Sequence, residues 1–413
     1  MILESILLVF VGIAIGVFAG LTPGIHVNTT IPIIMSLSFL LPSPYYLAVL
    51  VVATAVTEMF IDYIPSIFLG APEADTSLSV LPGHRLLLEG RGYEAIKLTI
   101  LGGVGGLLVS LIFIAILANY FQLLYTVTRP FVQYLIIGVM LFMIVTEKKL
   151  KKMLSSVLIL SITGIFGVLV LNSSLVPAQE VLFPSLTGLF GLSTLIVSIF
   201  ERSTIPEQKE DSRMLIGKKE IAKSLILASI AGIIVGFLPA VGISEAGTMV
   251  QYLGGSGESR SFLVTISGIN VANDVFSLVS LFLVGNPRSG ASVAIQGILG
   301  ELIFFDVLYL VGVIMLTAGI AAFLTKYLGR VIPKYLEKVN YKLLIISVII
   351  FISGLVLFLT NPFGLLILFT STSLGLLCNF LEIRRSHCMG ILLIPSLLFF
   401  TNLNGVVLSI LGI

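Results

Sequence analysis

The chain has 413 residues, of which 57% are hydrophobic and 11% charged, with a formal net charge of +2. A soluble chain carries about 25% charged residues, so the composition excludes an ordinary water-soluble domain and, without a basic stripe, a nucleic-acid partner. Two cysteines are too few for a disulfide framework or a zinc site, and three histidines are too scattered for metal ligation.

From the N-terminus, Met1-Ile2-Leu3-Glu4 has no positive n-region and no small-residue cleavage site, so this segment is expected to be retained. Apolar runs at 5–22 and 25–41 flank the break Thr22-Pro23-Gly24. A run from Tyr46 to Gly70 follows, with Glu58 and Asp62 four apart and hence on one helix face. The stretch Gly70-Ala71-Pro72-Glu73-Ala74-Asp75-Thr76-Ser77-Leu78-Ser79 combines proline with small hydroxyl residues, as an irregular cavity-lining turn requires. A basic connection, Pro82 to Lys97, leads to predicted spans at about 94–119, 131–147, 153–172 and 180–200. Glu201 to Lys223 is the most charged stretch. Runs at 224–238 and 241–253 then flank Pro239-Ala240-Val241-Gly242, each arm about 12–15 residues, short for a crossing. A re-entrant hairpin and two full spans give the same parity. Further spans are predicted at about 261–285, 305–325, 341–360, 362–381 and 388–411.

The chain repeats itself. Gly16-x-x-x-Gly20-x-x-Pro23 recurs 216 residues later as Gly232-x-x-x-Gly236-x-x-Pro239. Phe68-Leu69-Gly70-Ala71-Pro72 recurs 215 residues later as Leu283-Val284-Gly285-Asn286-Pro287, with Ser77 matching Ser292. At that offset Glu58 and Asp62 fall on Asn273 and Ser277, beside Asn270 and Asp274. Helix breakers inside a membrane are tolerated where broken backbone lines a protein-enclosed cavity, and a duplicated pair of such segments points to a secondary transporter's binding site. The bland reading is that Gly-x-x-x-Gly serves close helix packing. Packing explains the glycines but not the prolines and hydroxyls repeated behind them.

Lys and Arg cluster at 85–97, 148–152, 209–223, 326–342 and 384–385. The positive-inside rule puts all five connections in the cytoplasm. The stretch Gly290 to Phe304, equivalent to the basic Pro82–Lys97 connection, has no Lys or Arg and is expected outside. The expected fold is therefore an all-α polytopic membrane protein of about 10–12 membrane segments, in two inverted-topology repeats with Pro/Gly-broken helices, re-entrant or fully spanning. Residues 1–200 form the first repeat, 201–223 a charged cytoplasmic linker and 224–413 the second.

A helix starting just after a break offers unpaired N–H groups and a positive dipole end to an anion. Asn28, Thr29 and Thr30 follow the first break, and Ser244, Glu245 and Thr248 the second. Ionisable groups within spans cost about 2.5–3.5 kcal/mol each on insertion scales and are functional candidates by default. Glu58, Asp62, Asn270, Asn273 and Asp274 supply oxygens that suit Na⁺, and a carboxylate alone suits a proton; their bland reading is hydration near a span end. Arg288 has the geometry to clamp a carboxylate or to pair with Glu73, Asp75 or Asp274. His26 is read as a packing residue.

Ile64-Pro65-Ser66-Ile67-Phe68-Leu69-Gly70-Ala71-Pro72, then Pro82-Gly83-His84-Arg85 and Glu89-Gly90-Arg91-Gly92-Tyr93-Glu94-Ala95, resembles the large membrane subunit of tripartite tricarboxylate transporters, the TctA family. Ala19-Gly20-Leu21-Thr22-Pro23-Gly24 resembles that family's first proline-glycine break. This chain is a compact, divergent version: the family's turn asparagine is Gly70 here, although Asn286 keeps an Asn-Pro in the second half. The resemblance implies cation-coupled uptake of organic carboxylates such as tricarboxylates, working with an extracytoplasmic solute-binding protein and a small membrane subunit.

The site is expected to join Pro23, Gly24, Asn28, Thr29, Thr30, Gly70, Pro72, Thr76 and Ser77 with Pro239, Ser244, Thr248, Asn286, Pro287, Arg288, Ser289 and Ser292. Glu58, Asp62, Asn270, Asn273 and Asp274 would couple Na⁺ or H⁺, with no other cofactor, and alternating access would rock one half against the other. The expected location is the cell membrane, multi-pass and in contact with lipid. The rival reading is a polyprenyl-phosphate lipid-carrier translocase using the helix N-termini and Arg288. An enzyme is not expected: Glu58 and Asp62 resemble a carboxylate pair, but no nucleophile–base constellation or metal motif accompanies them.

Overall fold

The structure is a computed structural model. It describes the chain outside residues 1, 23–26, 37–38, 40, 69–75, 77–79, 174, 177–180, 201–207, 210–212, 238–241, 244–245, 248–249, 251–258, 286, 337–340 and 412–413. All regular structure among the described residues is helical. The first half contains α1 (Ile2–Leu21), α2 (Val27–Ser36), α3 (Pro44–Ile61), α4 (Tyr63–Phe68), α5 (Val80–Leu88), α6 (Gly92–Thr128), α7 (Val132–Val145), α8 (Leu150–Asn172), α9 (Leu182–Leu186) and α10 (Ser193–Phe200). A π-helical stretch, Thr187–Leu192, joins the last two. The second half contains α11 (Lys218–Phe237), α12 (Ser259–Val284), α13 (Gly290–Leu299), α14 (Phe304–Leu336), α15 (Tyr341–Leu359), α16 (Pro362–Phe380), α17 (Gly390–Phe400) and α18 (Asn404–Leu411).

Seven of these helices are long and apolar enough to cross a membrane, and a further bent pair, Arg385–Phe400 with Asn404–Ile410, passes the same test together. Shorter apolar helices such as Gln133–Val145 and Gly290–Leu299 make up much of the rest. Two lengths differ from the sequence expectation. The span expected at about 94–119 is α6, Gly92–Thr128, which continues nine residues past the expected end. The arm before the second break is 20 residues rather than a short one, since α11 starts at Lys218 and its first turns carry the charges of the linker.

Local chemistry sets several helix starts. Pro44 occupies the first turn of α3, where its missing N–H costs nothing. Asn361 caps α16, its side chain accepting from Phe363 N and Gly364 N ahead of Pro362. Ser289 and Ser292 form a capping box on α13.

The centre is built from α3 and α12, whose apolar windows are 94% and 89% buried, against 28% for α6. Exposed Leu3, Leu7 and Phe10 on α1 and Phe323 on α14 present the apolar exterior that lipid requires. Glycines set the central contacts: Gly12, Gly16 and Gly20 of α1 lie against Ala53, Thr57 and Ile61 of α3, so the two helices run parallel. Gly232 and Gly236 of α11 lie against Ala272 and Phe276 of α12, and Ala228 lies against Gly268. The pairs recur at the 215–216 spacing seen in the sequence. The spans follow suit, with α1 and α11 both 20 residues long.

Gly102 and Gly106 of α6 lie against Val264 and Gly268, so α6 runs parallel to α12. Gly92 and Gly103 of α6 touch Phe68 of α4 and Phe60 of α3, so α6 runs antiparallel to the continuous α3–α4 span. Tyr45 donates to Asp306 Oδ1 at 2.7 Å near the starts of α3 and α14, while Gly329 near the end of α14 meets Ile96 near the start of α6. Thus α1, α3 and α14 point one way and α6, α11 and α12 the other.

Basic connections gather. Buried Glu94 accepts from Arg91 and from Arg260 Nε at 2.9 Å, and from Leu215 N at 2.7 Å. The linker is strapped to the same corner, with Lys209 N donating to Gly90 O and Gln208 Nε2 to Leu87 O. Elsewhere Lys152 pairs with Glu382, and Arg384 meets Glu147 and Thr146.

Candidate functional site

Glu58 and Asp62 sit where α3 reaches its end, 4% and 6% exposed. Glu58 Oε1 accepts from Val27 N, the first N–H of α2, at 2.9 Å. A carboxylate at a helix N-terminus is favourable because unpaired N–H groups and the macrodipole both face it. The dipole end expected to receive a ligand anion is therefore engaged by the protein's own carboxylate. Asn28 and Thr29 lie in the first turn of α2, and buried Thr30 donates to Val27 O at 3.1 Å. One turn beyond Glu58, Asp62 Oδ2 accepts from Thr76 Oγ1 at 3.1 Å, and Thr76 Oγ1 lies 2.7 Å from Ser66 Oγ.

The second half builds the equivalent corner with hydroxyls. Ser277, which the repeat spacing aligns with Asp62, accepts from Arg288 N at 2.9 Å and Ser289 N at 2.7 Å. Its Oγ lies 2.8 Å from that of Ser292, and Ser289 Oγ accepts from Ser292 N at 3.2 Å. Pro287 stands in this turn, where an N–H is dispensable. Ser277→Ala is expected to cost about 0.5–1.5 kcal/mol, because Arg288 N and Ser289 N lose one acceptor while each keeps Ser292 Oγ at 3.0 Å. A lowered unfolding midpoint in detergent is the measurement, and a midpoint equal to wild type would show that Ser292 alone holds the turn.

A cavity of about 20 Å³, room for one water or one small ion, lies between α3, α12, α13 and α14. Its polar wall is Asp274, Ser289 and Ser292, and its apolar wall includes Val52 and Val56 of the first half. Asp274 and Asn273 are half-buried. Asn270, one turn earlier, is 2% exposed, and its Oδ1 has no hydrogen-bond partner among the described residues. Asn270, Asp274 and Ser277 share one helix face by their spacing.

The structure thus joins Glu58 with α2, Asp62 with Thr76, and Asp274 with Ser289 and Ser292. Pro23, Gly24, Gly70, Pro72, Ser77, Pro239, Ser244, Thr248 and Asn286 lie outside the described residues. Beyond the expected site residues stand Ser277, which the repeat spacing signals in the sequence, and Ser66, which carries no such signal because the fold alone brings it to Thr76. Among the described residues no group of three or more His, Cys, Asp or Glu has metal-binding geometry.

These features define a multi-pass α-helical protein of the cell membrane, with buried polar groups collected beside breaks in its helices, the class in which secondary transporters fall. The model of the tripartite tricarboxylate transporter TctA family matches residues 6–390, and the chain belongs to that family, one of transporters. It is 30% identical over 410 residues to an uncharacterized protein of Methanocaldococcus jannaschii, MJ1079, covering 96% of this chain and 99% of the relative. No solved structure matches it.

Proposed function

We propose that the protein is a cation-coupled permease for small organic carboxylates, tricarboxylates among them, working by alternating access between two inverted repeats. The observation that carries this reading is the cavity where both halves meet, with Asp274 and the hydroxyls of Ser289 and Ser292 in its wall, in a chain of a tricarboxylate-transporter family. The opposed directions of α1 and α11, and of α3 and α12, support the inverted relation of the repeats.

In this scheme Asp274, with Asn270 and Asn273, takes Na⁺ or H⁺. Glu58 and Asp62 form the acidic counterpart in the first half. Substrate carboxylates meet hydroxyls and N–H groups at the breaks: Pro23, Gly24, Asn28, Thr29 and Thr30 with Gly70, Pro72, Thr76 and Ser77, and Pro239, Ser244 and Thr248 with Asn286, Pro287, Arg288, Ser289 and Ser292. Protonation or cation binding at Glu58 would loosen its hold on Val27 N and release that helix end for a substrate anion. An extracytoplasmic solute-binding protein and a small membrane subunit are the partners that the family's tripartite organisation suggests.

Uptake of labelled citrate and other di- and tricarboxylates into proteoliposomes, under imposed Na⁺ or proton gradients and with or without the binding protein, tests the proposal. Gradient-dependent accumulation is the expected result. No accumulation in any arm, with polyprenyl phosphate bound or moved across the bilayer, would replace it with a lipid-carrier function.

A further inference from the structure

The two halves of the sequence do not form two separate bodies. Helices α1–α6 pack with α11–α14 in one bundle, and α7–α10 pack with α15–α18 in another, so each bundle draws on both halves. The exchange is reciprocal. In the first bundle α6 lies on α12 and α14 on α3; in the second, α8 lies on α17 and α16 on the π-helical stretch and its flanking helices.

Inside each bundle the contacts between halves are close and directional. A Cβ on Gly106 would lie 2.7 Å from Gly268 Cα, and one on Gly102 would lie 2.2 Å from Val264 O. Ser110 Oγ of α6 donates to Ser229 Oγ of α11 at 3.3 Å, and Tyr309 of α14 donates to Ser5 of α1 at 2.7 Å. In the second bundle a Cβ on Gly167 would lie 2.1 Å from Ile391 O, one on Gly375 would lie 2.2 Å from Leu189 O, and Arg385 donates to Phe190 O and Ser193 Oγ. Pulling the halves apart would separate buried Glu94 from Arg260, and breaking a buried ion pair by taking one partner away is strongly destabilising.

The surfaces of the two bundles meet differently. Ile136, Val139 and Met143 of α7 share one hydrophobic cluster with Ala228, Ala231 and Val235 of α11. Apolar contact is non-directional, so such a surface can slide without stranding a hydrogen bond. The Arg129–Phe131 3₁₀ turn, between α6 and α7, is one place where the chain passes from bundle to bundle.

We propose that the moving unit of transport is a bundle and not a sequence half: α1–α6 with α11–α14 shifts against α7–α10 with α15–α18, carrying the Asp274 cavity with it. The inference rests on the transporter reading and replaces movement of one repeat against the other with movement of one bundle against the other. The experiment locks the halves together inside the first bundle. Ser110→Cys with Ser229→Cys, in a Cys378→Ala, Cys388→Ala background, is reconstituted, oxidised with copper-phenanthroline, and assayed for citrate uptake beside the wild type and the reduced variant.

Uptake by the oxidised variant equal to that of the reduced one is the expected result. Uptake lost on oxidation and restored by dithiothreitol would show that the halves must separate, and would overturn the proposal. No uptake by the wild type, with any gradient or with the binding protein, would instead remove the transporter reading and this one with it. Should the cysteine variant fold poorly, spin labels decide the question. Labels replacing exposed Leu7 of α1 and Phe323 of α14 report within the first bundle, and labels replacing exposed Phe323 and Leu154 of α8 report between bundles. Citrate with Na⁺, or with acidification, should move only the second distance; movement of the first alone would overturn the proposal.

Discussion

Asp274→Asn is expected to reduce gradient-driven accumulation in proteoliposomes by about 100-fold, which corresponds to roughly 2.8 kcal/mol of lost cation stabilisation. Asp274 supplies the one charged side chain in the cavity wall among the described residues, with Ser289 and Ser292 as neutral oxygen donors beside it. The amide keeps the size and one acceptor oxygen but removes the negative charge, the feature that favours a cation or a proton at this place. Asp274→Glu keeps the charge and should retain measurable coupling. The unfolding midpoint of each variant in detergent separates lost coupling from lost fold. Accumulation by the Asn variant at the wild-type rate would sink this assignment and shift attention to Glu58 and Asp62, whose carboxylates occupy the corresponding region of the first half.

The second large effect is structural. Gly106→Val should destabilise the protein by about 3 kcal/mol, at the upper end of overpacking costs, because the obstruction is backbone. The Cα and O of Gly268 stand 2.7 and 2.8 Å from where the new Cβ would sit, and no rotamer change moves them. Gly268 cannot retreat, since a Cβ on it would already meet that of Ala228 at 2.7 Å. Helices α6, α12 and α11 would have to part together. Gly319→Ala on α14 is the control: nothing lies within 4 Å of its added Cβ. Better helix propensity should there stabilise by about 0.5–1 kcal/mol. Thermal unfolding of both variants checks the pair, and a Val variant as stable as wild type would mean that α6 and α12 are not packed backbone to backbone.

The glycine pattern and its use in close helix packing were both legible in the sequence. Gly16, Gly20, Gly232 and Gly236 recur at a fixed spacing, and the packing reading explains them fully: each lies against α3 or α12. The same repeat aligned Asp62, which accepts from Thr76, with Ser277, which accepts from Arg288 N and Ser289 N. No pattern indicated that Glu58 would cap α2, because a helix N-terminus looks the same in sequence whether its N–H groups are free or taken. The start of α11 at Lys218 was equally hidden, since hydropathy stops at the last apolar residue while a helix continues through charged ones.

Residue order alone carries the solvent, the helical class, the places where helices break and the doubling of the pattern. These follow from composition and from which residues can hydrogen-bond their own backbone inside lipid. Which helices pair is settled only when the chain folds. The fold crossed α6 with α12 and α3 with α14, set Asp274 of one half against Val52 and Val56 of the other, and strapped the linker to Glu94. In lipid every helix face is apolar enough to meet any other, so partner choice rests on shape at glycines and on single buried polar contacts, information that exists only once two helices have met.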